Sequence, residues 1–368
     1  FKEKGEIDPY IASFSYIMRL MRCCEELGKL DLPVCREEWA RMRQARKQMQ
    51  GMARNSYWVI SPFRGNSSGD ILALVLDYVR MVFHADLIKF DSMLNTVRGH
   101  IGDVDAMIET VGYVETVIAI WIFRESLGEE GADGNRGWCT PDFPAEGGLS
   151  LEEGYHPMLK APVKNGIAAR KGVLLTGSNA SGKSTFLKMV ALNAILAQTI
   201  HTCAADSYRA PFYHVYSSMA LRDDMESGES YYIVEIKALK RILDAAAGDV
   251  PILCFVDEVL RGTNTIERIA ASTQILKSLG RTGILCFAAT HDIELTELLQ
   301  DDFDNYHFEE DVAEGDVVFN YRLKEGKATT RNAIKLLELM GYDRDVIERA
   351  TAQAEHFAES GVWQNVID

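Results

Sequence analysis

Two hydrophobic rhythms divide this chain. From Pro9 to about Leu127, apolar residues recur at three- and four-residue spacing over 11–27, 71–94 and 101–123, a period that predicts amphipathic helices packed as a bundle and no strand-rich unit. Residues 128–148, rich in Gly, Pro and acidic side chains, read as a loop and a domain boundary. Beyond them the rhythm changes. Short apolar runs, Val173-Leu174-Leu175, then 252–256 and 284–288, alternate with helical segments. That alternation predicts an α/β domain with a largely parallel sheet, whose ligands bind beyond the carboxyl ends of the strands.

Each of the three runs is followed by polar residues suited to one composite site. After the first comes Gly177-Ser178-Asn179-Ala180-Ser181-Gly182-Lys183-Ser184-Thr185, a strand, glycine-rich loop and helix pattern that fits a phosphate-binding P-loop. Backbone N–H groups of such a loop point at phosphate oxygens, and Gly177 and Gly182 allow turns that a Cβ would obstruct. Lys183 is expected to bridge the β- and γ-phosphates of a nucleoside triphosphate and Ser184 to coordinate Mg²⁺, while a helix over 184–200 adds its N-terminal partial charge. Asp257, after the second run, is placed to hold Mg²⁺, and Glu258 to orient or deprotonate the attacking water. His291, after the third, is expected to contact the γ-phosphate or position the water.

Composition narrows the setting. With 368 residues and 47% hydrophobic content the chain can bury substantial cores. Its seven cysteines form no CxxC pair, which indicates neither a zinc site nor a disulfide framework and suggests a reducing, cytoplasmic compartment. No segment is expected to approach the about 18–20 apolar residues of a membrane span, the longest candidate being 117–123. The chain opens on Phe1, so the expectation leaves room for an upstream targeting or membrane-associated segment. A net charge of −15 opposes non-specific attraction to nucleic acid. The basic stretch 36–54, with Arg36, Arg41, Arg43, Arg46, Lys47 and Arg54, is the best candidate DNA patch. Its simpler reading is the solvated face of an amphipathic helix, with Trp39 and the methionines toward a core.

Three segments carry a family resemblance: 176–185, 255–265 with its Asp-Glu-x-x-Arg-Gly-Thr block, and Ala289-Thr290-His291-Asp292-Ile293-Glu294-Leu295-Thr296. They resemble the Walker A, Walker B plus D-loop, and histidine-loop segments of the MutS family of DNA mismatch-repair ATPases. Residues 227–235 resemble the family's signature segment, with Ser230 matching the serine that reaches the opposite subunit's nucleotide. His156-Pro157 resembles the family's His-Pro near the adenine, and residues 303–350 its closing strand and helices. Gly102-Asp103-Val104-Asp105 and the helix after it are similar to the lever helices.

The resemblance implies an ABC-type P-loop ATPase domain over 138–330, an all-α lever- and core-like domain over 1–137, and C-terminal helices over 331–368 that complete the ATPase and dimer region. It further implies a head-to-tail homodimer with composite ATP sites, double-stranded DNA, mismatched or branched, as partner, and a repair-protein partner. Ser178 and Ala180 stand where the repair proteins usually carry Pro and Met, and neither change removes a phosphate-binding group. Nothing resembles the mismatch-reading N-terminal domain. Phe1-Lys2-Glu3 and Phe308-Glu309-Glu310 match its Phe-x-Glu only by chance. The expectation is a short MutS-like branch, or a fragment of it, that keeps the ATPase and lacks the mismatch reader. An ATP-driven coupling protein acting on a protein or membrane partner is the alternative, favoured by the acidic charge and the missing reader.

Overall fold

The computed structural model describes residues 2–30, 35–53, 85–128, 137–178, 181–219, 231–246, 248–260, 263–281, 283–313, 316–328, 334, 337 and 340–363. The chain divides into two compact units, residues 1–123 and 124–368.

The described elements of the first unit are helices: α1 (Lys2–Leu27), α2 (Arg36–Gln48), the short α3 (Gln50–Ala53), α4 (Ala85–Gly99) and α5 (Ile101–Ser126). Phe14, Ile17, Met21 and Cys24 of α1 fall on one stripe and are buried with Met42, Met49, Met52, Met93 and Met107. Unbranched methionines fill such irregular gaps readily. Trp39 is buried too, and its indole N–H donates to the Leu27 carbonyl at 3.1 Å, satisfying one of the orphan acceptors at the end of α1. Phe90 meets Tyr10 and Phe14 edge to face. The basic stretch forms α2 as an amphipathic helix, with Trp39, Met42 and Ala45 inward, Arg41 paired to Glu109 and Arg46 to Glu25. Arg54 and residues 71–84 of the expected second helix lie outside the described residues.

One expectation needs correcting. The sequence predicts no segment approaching the length of a span, yet α5 is long and apolar enough to cross a membrane by length and composition. Between Asp105 and Arg124 only Glu109 and Glu115 carry charge, and small or weakly polar residues such as Gly112 and Thr116 break the run without making it polar. Ala106, Met107 and Thr110 are buried, whereas Val117, Ile118, Trp121 and Ile122 are exposed.

The second unit contains β1 (Leu149–Gly154), β2 (Asn165–Ala169), β3 (Gly172–Thr176), α6 (Lys183–Ile200), β4 (Ser207–Arg209), β5 (His214–Ser218), α7 (Tyr231–Ala245) and β6 (Ile252–Asp257). It continues with α8 (Thr265–Leu279), β7 (Ile284–Ala289), α9 (Glu294–Leu298), β8 (Phe303–Ala313), β9 (Asp316–Glu325) and α10 (Arg344–Ser360). The main sheet has the order β5-β6-β7-β3-β8-β9, parallel throughout except for the antiparallel edge strand β9. A separate antiparallel sheet has the order β2-β1-β4. This is a mixed α/β fold built on a parallel sheet.

The three apolar runs are β6, β7 and β3, adjacent in the middle of the sheet, and their lack of alternation reflects burial on both faces. Val173, Leu175, Leu253, Phe255, Leu285 and Phe287 pack with Leu187, Val190 and Ala194 of α6. Leu174, Cys254, Val256, Cys286 and Ala288 pack with Leu239 and Ile242 of α7 and Leu276 and Leu279 of α8. Successive side chains leave a strand on opposite faces, so this period-two partition is what the backbone dictates. The expected single closing strand is a hairpin, with β8 parallel to β3 and β9 returning along it.

Candidate functional site

The site is built where β3, β6 and β7 end. β3 stops at Thr176, and the chain turns at Gly177, whose φ of +137° is a glycine conformation. A Cβ there would stand 2.8 Å from the Phe308 carbonyl oxygen and 3.1 Å from Ser181 Oγ. The turn closes at Gly182, φ +109°, which caps α6, and the Phe186 N–H then donates to the Gly182 carbonyl at 2.8 Å. The N–H groups of Lys183, Ser184 and Thr185 precede the helix's own ladder and carry its partial positive charge. Lys183 is 5% exposed, and its ammonium donates to the carbonyls of Gly177 and Ser178, both at 2.7 Å. Ser184 is half-buried and Thr185 exposed. Asn179 and Ala180 lie outside the described residues, as does Ser230.

At the end of β6, Asp257 follows the alternation of Leu253 and Phe255 and so stands on the sheet face that carries α6. Its Oδ1 is buried without a hydrogen-bond partner among the described residues, as is Ser181 Oγ. Glu258 adopts φ +60° and donates its N–H to the Ala289 carbonyl at 2.9 Å. Left-handed backbone at a non-glycine residue costs about 1–2 kcal/mol and needs anchoring by its surroundings. At the end of β7, the Thr290 N–H donates to the Leu175 carbonyl at 2.9 Å. The sheet thereby brings together three residues far apart in the chain. His291 Nε2 lies 3.0 Å from Glu258 Oε1 and 3.5 Å from Lys183 Nζ. An ionised carboxylate only accepts, so Nε2 carries the proton toward Glu258, and the more distant ammonium is a neighbour rather than a donor.

A cavity of about 520 Å³, the size of a small-molecule site, opens over these groups. Its lining includes Ser181, Gly182, Lys183, Ser184, Glu258 and His291, together with His156, Leu159, Pro162, Val163 and Tyr321. Burial, and after it the charge of Lys188, holds the His156 imidazole below its ordinary value, while its Nδ1 accepts the Met158 N–H at 3.3 Å.

Several positioning residues gave no signal in the sequence. Arg268 of α8 grips Asp292, the residue after His291, with Nε and Nη2 at 3.0 and 2.6 Å. Asn165 donates to the Tyr321 carbonyl at 2.9 Å and accepts from the Leu323 N–H at 2.8 Å, tying β2 to β9 and fixing Tyr321, whose φ is +54°. Buried Asn193 of α6 donates to the Tyr155 carbonyl and accepts from the Ala204 N–H, which anchors the chain just before His156. A lone Asn or Arg is unremarkable in sequence. Only the strand order gives it a partner.

Residues 173–358 match the family MutS domain V. The chain is 32% identical over 239 residues to the DNA mismatch repair protein MutS of Thermus thermophilus, which covers 63% of this chain and 29% of that protein. It is 27% identical over 285 residues to the DNA mismatch repair protein MutS of Lactobacillus delbrueckii subsp. bulgaricus, covering 74% of this chain and 32% of that one. The chain therefore spans about a third of the length of these relatives, and the family match takes in the cavity-lining residues from Ser178 to Tyr321. On the family match and the fold that carries it, the chain belongs to the MutS family.

Proposed function

We propose that this chain is a MutS-like ATPase that binds ATP with Mg²⁺ in the cavity, hydrolyses it, and couples the nucleotide state to a homodimer acting on double-stranded DNA. The observation that carries the reading is His291 lying 3.0 Å from Glu258 and 3.5 Å from Lys183, whose ammonium also holds the carbonyls of Gly177 and Ser178. The residues fit the ligands. The orphaned Ser181 Oγ and the N–H groups opening α6 suit phosphate oxygens, and Lys183 exchanges its two loop carbonyls for the β- and γ-phosphates. Ser184 and the unpartnered Oδ1 of Asp257 would hold Mg²⁺, which when bound neutralises phosphate charge.

Glu258 then accepts a proton from, or orients, the attacking water, and His291, held against it, contacts the γ-phosphate side. Ser230 completes the site of the opposite subunit, and His156 and Tyr321 flank the base. The partner duplex is mismatched or branched DNA, with a further repair protein joining the complex.

A second reading is favoured by two observations, the net charge of −15 and the apolar, half-exposed α5. In it, the ATPase drives a protein or membrane partner and no DNA is recognised. Mg²⁺-dependent ATP hydrolysis, measured without DNA and with matched, mismatched and branched duplexes at graded salt, separates the two. Stimulation by duplex, strongest at low salt, is the expected result. Hydrolysis indifferent to every DNA sinks the DNA reading in favour of the second, and failure to bind ATP sinks both.

A further inference from the structure

A second carboxyl group meets the loop that carries Glu258. Glu235 stands on α7 at four- and seven-residue spacing from Leu239 and Ile242, so it occupies the stripe that otherwise packs apolar side chains against the sheet. It is 1% exposed. A carboxyl group is costly to keep there unless a hydrogen bond compensates it. Its Oε1 accepts the N–H of Leu260 at 2.6 Å.

That N–H belongs to an unusual backbone. Glu258 and Leu260 have φ of +60° and +59°, two non-glycine residues in the left-handed region with Val259 between them. Three anchors hold this path: the Glu258 N–H on the Ala289 carbonyl, the Ser272 hydroxyl on the Val259 carbonyl at 3.3 Å, and Glu235 on Leu260. The first two come from β7 and α8. Glu235 alone of the three comes from α7, the helix that begins at Tyr231, and it is the last residue of the segment 227–235.

We propose that Glu235 is a positioning residue for hydrolysis: by holding the Leu260 N–H it keeps the left-handed path that aims Glu258 at His291, and it passes the position of α7 to that carboxylate. The proposal rests on the ATPase reading of the cavity. Without the anchor, Leu260 and Glu258 relax toward ordinary φ values, and the Glu258 carboxylate leaves its place 3.0 Å from His291. The hydrogen bond from the Leu260 N–H ties Glu235 to the loop of Glu258, whereas nucleotide binding draws on residues 177–178 and the start of α6, so the defect falls on turnover and spares affinity.

The test combines nucleotide titration, ATP turnover and amide hydrogen exchange on the full chain, with Glu235→Ala and Glu235→Gln. Glu235→Ala is expected to lower kcat roughly tenfold to a hundredfold per folded molecule, with the ATP dissociation constant held within about threefold. The Leu260 amide should exchange markedly faster. Glu235→Gln keeps an oxygen that accepts the same N–H and should recover most of the loss. Parent-level kcat in the Ala variant, or an unchanged Leu260 amide, overturns the proposal. So does a loss of kcat and affinity together that Gln does not rescue, the mark of a purely structural role. A parent chain without ATPase activity refutes the functional reading instead, and the exchange measurement still decides whether Glu235 holds the loop.

Discussion

Replacing Gly177 with alanine tests the loop geometry most directly, because the added atom has a defined place. Its Cβ lands 2.8 Å from the Phe308 carbonyl oxygen, closer than real Cβ atoms come, and 3.1 Å from Ser181 Oγ. The first neighbour is backbone of β8 and cannot swing aside. Holding alanine at φ +137° adds strain of roughly 1–3 kcal/mol before any contact is counted. That cost must appear somewhere. If the loop keeps its shape, it appears as lost folding stability; if the loop relaxes, it appears as weaker nucleotide binding, by about fivefold to a hundredfold on the scale of 1.4 kcal/mol per factor of ten.

Urea unfolding together with titration of a fluorescent ATP analogue measures both parts, and their sum should reach roughly 1–3 kcal/mol. Gly182→Ala is a graded comparison. Its φ of +109° is also strained, but its nearest neighbour is the Tyr321 ring at 3.2 Å, a side chain that can give way. Gly112→Ala is the control of opposite sign, since nothing lies within 4 Å of it on α5 and alanine should stabilise by about 0.5–1 kcal/mol. If Gly177→Ala matches the parent in both urea midpoint and affinity, the account of this loop is wrong.

Lys183→Ala should abolish tight ATP binding in the same titration, because it removes the only lysine that donates to the loop carbonyls among the described residues. Glu258→Ala should bind ATP at parent affinity yet lose about 10²–10⁴-fold in turnover, and should accumulate as an ATP-dependent dimer on a sizing column. Turnover at the parent rate would remove Glu258 from its role. Arg268→Lys breaks the two-pronged grip on Asp292, and with both side chains partly exposed the stability loss should be about 1 kcal/mol, accompanied by a larger fall in kcat than in affinity as the His291 loop loosens. His156 should titrate below its ordinary value of 6.5 by NMR, and Lys188→Gln should move the midpoint upward by removing the smaller of the two causes. Because the fold disfavours its charged form, the associated stability is full above pH 6.5 and declines as pH falls through the folded midpoint; a midpoint above 6.5 contradicts this.

What the sequence determined by itself was local. The continuous apolar runs of β3, β6 and β7 were legible because strands buried on both faces need no polar positions. The glycine-rich turn was legible because its constraints act within a few neighbouring residues. The carboxylates and the histidine stood out because each follows such a run. β1, β2, β4 and β5 escaped because they are short and carry Ser, Glu, Gly or His among few apolar residues, so no period emerges. β9 escaped because its ten residues alternate only in part and belong to a hairpin whose register shifts.

Tertiary structure decided which of these pieces meet. The order β6-β7-β3 sets His291 3.0 Å from Glu258 and 3.5 Å from Lys183, and no spacing along the chain encodes that adjacency. The same holds for Glu235 on Leu260, Arg268 on Asp292 and Asn165 on the strand of Tyr321. Local sequence sets which side chains an element offers and to which face. Long-range strand pairing and the packing of helices over both faces of the sheet set the distances between them, and the chemistry of the site depends on those distances.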